Sequence, residues 1–206
     1  VNVGLEGTRV PTDDLGFKEI EHKFVLGDDF DLPRFRAALT ALGPARTSAI
    51  RVQDSYYLTE GGLERRFVIR HRFDAELHHL TIKSIETDTE VRDEINLDLG
   101  HHAGDQAARV DAFMARMGVQ WRGTLHKDVE VWYFPDCEVV HYVASTGSRM
   151  VRCVEFEATR RDSLEEALAI VGKFERATGC DALVRSRLSL PQLLFPELSG
   201  KLAGRA

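Results

Sequence analysis

Charged side chains in this sequence recur two residues apart, and in an extended chain residues two apart share a face. Glu19, Glu21 and Lys23 project one way from a segment whose alternate residues are Ile20, His22 and Phe24. The same spacing groups Arg70 with Arg72, Thr81 with Lys83, Arg92 with Glu94, and Glu155 with Glu157. Taken singly, each row looks like the solvated face of an antiparallel sheet, and isolated exposed ion pairs are weak. The repetition of like charge, Glu beside Glu and Arg beside Arg, needs more than solvent. Adjacent like charges repel unless the opposite sign lies between them. A divalent cation satisfies the carboxylates, and a polyanion satisfies the guanidinium and ammonium groups. Oxygen-only ligands suit Mg2+ or Mn2+, which complete their shells with water and phosphate oxygens. Guanidinium forks grip phosphate bidentately. A metal–triphosphate complex is the ligand that answers both halves of the pattern.

The elements that must carry these rows can be read from periodicity. Asp31 precedes Leu32, Phe35, Ala38, Leu39 and Leu42, with Pro33 in the first turn and Gly43-Pro44 at the end, which predicts a short amphipathic helix. Val110, Phe113, Met114 and Met117 predict a second helix with both methionines in its core face, and Ser163 with Glu166 forms a capping box for a third that stops at Gly179. Elsewhere the period is two, predicting strands over 20–26, 54–59, 66–73, 79–84, 91–99, 125–134, 137–143 and 150–158, with Gly61-Gly62 and Gly147 at turns. Regular βαβ alternation is absent, so a mainly antiparallel sheet with helices packed on it is expected, an α+β class.

Composition narrows the alternatives. A chain of 206 residues, 43% hydrophobic and 29% charged, suffices for one buried core. No apolar run nears the roughly 20 residues that span a bilayer, and 1–15 lacks the apolar stretch of a secretory signal, so a cytoplasmic protein without a membrane partner is expected. The net charge of -6 argues against a nucleic-acid partner. Cys137, Cys153 and Cys180 show no C-x-x-C spacing and read as reduced thiols. The pairs His78-His79 and His101-His102 read as surface residues, and Trp121 and Trp132 as packing or lid residues. Neither a P-loop nor a G-x-S-x-G motif is present.

At the charged rows the sequence resembles the CYTH, or triphosphate tunnel, family, which includes class IV adenylyl cyclases, thiamine triphosphatases and inorganic triphosphatases. Glu19-Ile-Glu-His-Lys23 resembles its opening Glu-x-Glu-x-Lys signature. Asp54-Ser-Tyr-Tyr57, Ile69-Arg-His-Arg72, Leu80-Thr-Ile-Lys83, Arg92-Asp-Glu94 and Glu155-Phe-Glu157 follow in the family's order. The resemblance covers one domain over residues 17–195, leaving 1–16 and 196–206 as flexible ends. It implies a closed or nearly closed eight-stranded antiparallel β-barrel with a charged interior and helices outside. It further implies metal ligation by Glu19, Glu21, Glu155 and Glu157, joined by Glu94, and phosphate binding by Lys23, Arg70, Arg72, Lys83 and Arg92. Glu19, Glu21, Lys23 and Lys83 are the expected catalytic set, and Arg187 resembles a C-terminal basic position that reaches the tunnel. Three departures stand out. Where the family has a Lys-x-Arg strand this chain keeps only Lys127; an Asp on the next strand is replaced near His141-Tyr142; and a Ser-Tyr pair reads Ser189-Leu190. The expected activity is metal-dependent hydrolysis of a small-molecule triphosphate. Cyclisation of ATP to cyclic AMP and a non-catalytic polyphosphate or nucleotide module are the alternatives, and a homodimer is compatible with all three.

Overall fold

The computed structural model describes residues 17–85, 91–159 and 163–203, with the backbone alone at 17–19, 91 and 203. Nine strands form one antiparallel sheet: β1 (Phe17–Val25), β2 (Arg46–Thr59), β3 (Phe67–Phe73), β4 (His78–Ser84), β5 (Val91–Asp98), β6 (Val119–Tyr133), β7 (Cys137–Ser145), β8 (Met150–Ala158) and the two-residue β9 (Arg185–Ser186). Their spatial order is β5-β4-β3-β2-β6-β7-β8-β1-β9, and an additional β1–β5 pairing brings the first eight round into a ring. That closure is staggered and incomplete. Residues 17–20 of β1 pair with β5, whereas 21–25 pair with β8.

Strand alternation turns one face of each strand into the ring and the other outward, and the two faces bury different chemistry. Outside β1, β7 and β8, Phe24, Val139, Val154 and Phe156 pack under α1 (Leu32–Ala41) and α4 (Leu164–Thr178) through Phe35, Leu39, Val171 and Phe174. One apolar core therefore lies between barrel wall and helices. The cap signals act as the spacing predicts: Asp31 accepts from the Arg34 amide at 3.0 Å, Ser163 accepts from the Glu166 amide at 3.1 Å, and Gly179 ends α4 at φ 76°, where a side chain would be strained. A third helix, past β5, sets Val110 and Met114 against Tyr57.

Several expectations need correction. Strands β2 and β6 begin about eight and six residues earlier than predicted: their antiparallel pairing runs the whole length of both, the early half of each lying against the later half of the other. Gly61-Gly62 is not a simple turn but part of helix α2 (Glu60–Arg65), capped by Thr59, which makes the helix past β5 α3 (Ala107–Arg116). Met117 follows α3 and is exposed, as is Phe113; one turn too few faces the sheet to bury all four periodic residues. His78 is buried rather than on the surface: its Nε2 lies 3.2 Å from His71 Nε2 and its Nδ1 bonds the Gly100 carbonyl, while His101 Nε2 bonds the Asp74 carbonyl at 3.1 Å. These imidazoles fasten the loop after β5 to the sheet.

The chain past Pro196, expected as a flexible end, is also structured as far as 203. Helices α5 (Leu190–Leu194) and α6 (Pro196–Ala203) insert Leu190, Leu194, Leu198 and Leu202 into one end of the barrel, against Leu125, Val129 and Trp121. Trp121 donates to Glu197 at 3.3 Å. Gly123 permits this packing, since a Cβ there would sit 2.6 Å from the Trp121 ring and 2.8 Å from Phe195. The expected end at 1–16 lies outside the described residues. Among the described residues no helix is long and apolar enough to cross a membrane.

A two-faced tunnel as the candidate functional site

The inward side chains enclose a cavity of about 310 Å3. Among the described residues, six cations line it (Lys23, Arg70, Arg72, Lys83, Arg92 and Lys127) together with six carboxylates (Glu21, Glu76, Glu94, Glu138, Glu155 and Glu157). The fold thus brings together ten of the twelve expected site residues. Glu19 belongs to β1, opposite Arg92, but its side chain lies outside the described residues. Arg187 meets the site through its backbone, its carbonyl accepting from Arg92 Nη2 at 3.1 Å; the lining residues of that segment are Ser189, Leu190 and Pro191.

Register explains the clustering. Glu138, Glu157 and Glu21 stand directly opposite one another across β7, β8 and β1, and in the next inward row Val140, Glu155 and Lys23 do the same. Lys23 Nζ lies 3.0 Å from both Glu21 Oε1 and Glu155 Oε1, and the Tyr142 hydroxyl donates to Glu155 at 2.6 Å. Beyond the β1–β5 seam, Lys83 sits 2.9 Å from one Glu94 oxygen and Arg70 3.4 Å from the other. Arg70 also donates to Thr81, whose hydroxyl donates to Asn96 at 2.7 Å.

Asp54 organises the border between these rows. Fully buried, it accepts two parallel N–H bonds from Arg72, each 2.8 Å, and lies 2.9 Å from Lys127. The paired donation fixes the plane of the Arg72 guanidinium. Sequence spacing left Asp54 without a role because it stands alone among Ser55, Tyr56 and Leu58. Glu138 was also missed, although its place two and four residues before Val140 and Tyr142 puts it on their face.

Burial opposes every one of these charges, and the partners decide the outcome. At Glu21 burial acts upward, but Lys23, Lys83 and Arg92 outweigh it and hold the carboxyl well below its usual range. Burial would lower Lys23, yet Glu155 and Glu21 prevail and raise it. Asp54, raised by burial, is brought far down by Arg72 and Lys127. Lys127 is the exception: burial and the neighbouring Arg72 exceed the help from Asp54 and push it down to about 8. At Glu138 burial wins and the carboxyl rises.

Could these residues hold a cation? Glu21 Oε1 is buried and accepts no aligned hydrogen bond, its contact with Lys23 being an ion pair only. No three described carboxylates or imidazoles converge into a closed cage. A hard divalent ion does not require one, since Mg2+ commonly takes one or two carboxylates and completes its octahedron with water and substrate phosphate. The Glu21, Glu155 and Glu157 set fits that use.

No family model matches the sequence, and no curated protein does. Solved structures do. The fold is shared with a candidate adenylate cyclase from Bacillus halodurans (TM-score 0.60, 17% identity, 86% of this chain and 98% of that one). A chain of the Schizosaccharomyces pombe Mediator head module shares it too (0.57, 13%, 82% and 98%). A third is a Hippeastrum protein studied as an adenylyl cyclase and found to have dominant triphosphatase activity (0.52, 16%, 90% and 98%). At such identities the likeness speaks to fold: this chain has the triphosphate-tunnel fold that its motifs resemble. One of the three is a chain of the Mediator head module and another has dominant triphosphatase activity, so function has to be argued from the side chains in the tunnel.

Proposed function

We propose that the chain binds a triphosphate together with Mg2+ or Mn2+ and hydrolyses a phosphoanhydride bond. The observation that carries this reading is charge balance inside the tunnel. Six cations line the cavity and so do six carboxylates, with Asp54 just behind them. A simple anion trap would hold an excess of cations. With the wall near balance, a polyanion entering alone would leave the filled cavity strongly negative, so it must bring positive charge with it.

Glu21, Glu155 and Glu157 would hold the metal, with Glu19 and Glu94 as further candidates. Bound there, a divalent ion supplies Lewis-acid polarisation of phosphate oxygens and lowers the pKa of a coordinated water. The chain's own residues supply placement. Arg70, Arg72, Lys83, Arg92 and Lys127 surround the phosphates and neutralise charge as it shifts toward the leaving oxygen. Lys23, held 3.0 Å from both Glu21 and Glu155, would share its charge between those carboxylates and a phosphate oxygen. Enclosure by the barrel and the α5–α6 stopper keeps bulk water from screening these contacts.

Phosphate release measured with tripolyphosphate, thiamine triphosphate and ATP, each with Mg2+ or Mn2+ and with chelator, tests the reading. Metal-dependent orthophosphate from at least one of them is expected. Pyrophosphate and cyclic AMP from ATP would reassign the reaction to cyclisation, and triphosphate binding unaffected by chelation, without turnover, would overturn the enzyme reading.

A further inference from the structure

The cavity has a second kind of wall. Ile50 and Val52 on β2, Val129 and Val131 on β6, and Val140 on β7 all face it. In register Ile50 opposes Val129 and Val131 opposes Val140, so the five side chains form one continuous aliphatic patch across three neighbouring strands. Charge begins at two of its edges. Lys127 stands opposite Val52 on one side, and Glu155 opposite Val140 on the other. Val129 occupies the inward position two residues from Lys127, where alternation would aim a second cation at the cavity.

A phosphate oxygen pressed on valine methyl groups gives up water and gains no donor. An apolar group in the same place releases water from both surfaces. We propose that this patch seats the non-phosphate part of the ligand, and that the substrate is an organic triphosphate monoester with an apolar, ring-sized head group rather than inorganic tripolyphosphate. The phosphates lie along β1, β3, β4, β5 and β8 and reach Lys127 of β6, and the head group lies over the valines and isoleucine of β2, β6 and β7. Val129, Val131 and Val140 are then specificity-determining residues. This inference rests on the triphosphate reading above and narrows it.

Calorimetric titration of the whole chain with Mg2+ compares two probes, phenyl triphosphate and inorganic tripolyphosphate. Phenyl triphosphate is expected to bind at least about tenfold tighter, since burying a ring removes ample apolar surface from water. Val131→Thr, which keeps the shape and adds a hydroxyl, should narrow that ratio to below about threefold, and the half-buried Val140→Thr should do the same should the first variant fold poorly. Tripolyphosphate binding as tightly as phenyl triphosphate would overturn the head-group assignment while leaving the triphosphate reading intact. A ratio unchanged in folded Val131→Thr and Val140→Thr would overturn the placement on this patch. Binding of neither probe would overturn both readings together.

Discussion

Strands β1, β3, β4, β5 and β8 and strands β2, β6 and β7 enclose the same cavity, but different forces hold their inner faces in place. On the first group cations are positioned by carboxylates of the same or a neighbouring strand, as Lys23 is by Glu21 and Glu155, and Lys83 by Glu94. On the second, Val129 and Val131 belong to the same packed cluster as the leucines of α5 and α6. On β1 and β8 charge can be altered with little loss of packing, because the apolar core behind those two strands lies outside the ring. Removing volume from the second face leaves a cavity in a cluster that also anchors the chain's last helices. The charged face should therefore report on chemistry, the aliphatic face on selectivity and stability together, and the Asp54 border on both.

The largest effect that would sharpen this contrast is expected from Glu155→Gln. It retains shape and a partner for Tyr142 while removing the charge, so metal-dependent phosphate release should fall by at least about 100-fold, with a small drop in melting temperature because Glu21 stays as a counter-charge for Lys23. A large drop in melting temperature with activity preserved would break the contrast. Asp54→Asn should act on the border. Leaving Arg72 and Lys127 buried without their counter-charge is expected to cost about 3 kcal/mol in urea unfolding, partly restored by adding triphosphate. A loss below about 1 kcal/mol would show that the two cations find other partners.

The smallest effect follows from Lys127, whose ammonium is held down to about 8 by burial and Arg72. It is charged at pH 7 and largely neutral at pH 9, and a polyanion binds the charged form, so triphosphate affinity should weaken as pH rises. The expected loss over that interval is several-fold and at most about tenfold, the effect of one ammonium among the six cations that line the cavity. Titrations at both pH values read it, and Lys127→Arg should flatten the profile.

The charged face was legible in the sequence because alternation survives in every strand that carries it: Glu21 and Lys23, Arg70 and Arg72, Glu155 and Glu157 each announce a shared side. The aliphatic face was not. Val129 and Val131 read as ordinary strand residues, and nothing in their spacing says that they look into a cavity rather than toward a helix. Asp54 and Glu138 failed differently, since a single carboxylate on a strand carries no like-charged neighbour to betray it. The stopper was hidden as well. Leu190, Leu194, Leu198 and Leu202 recur at helical spacing but are interrupted by Pro191 and Pro196, which resemble the punctuation of a loose tail and instead start two short helices.

The staggered pairing of β1 also sets an order of assembly. The first strand of the sheet finds its partners in β5 and β8, some 70 and 130 positions downstream, so the two Glu-rich strands meet only after nearly all the intervening chain is in place. Hairpins β3–β4 and β6–β7 can form early from local contacts, while the carboxylate row is the last piece of the wall to be completed. A chain truncated before β8 would retain most of its phosphate-gripping cations and lack Glu155 and Glu157, and would be a basic trough with an open edge in place of a balanced tunnel.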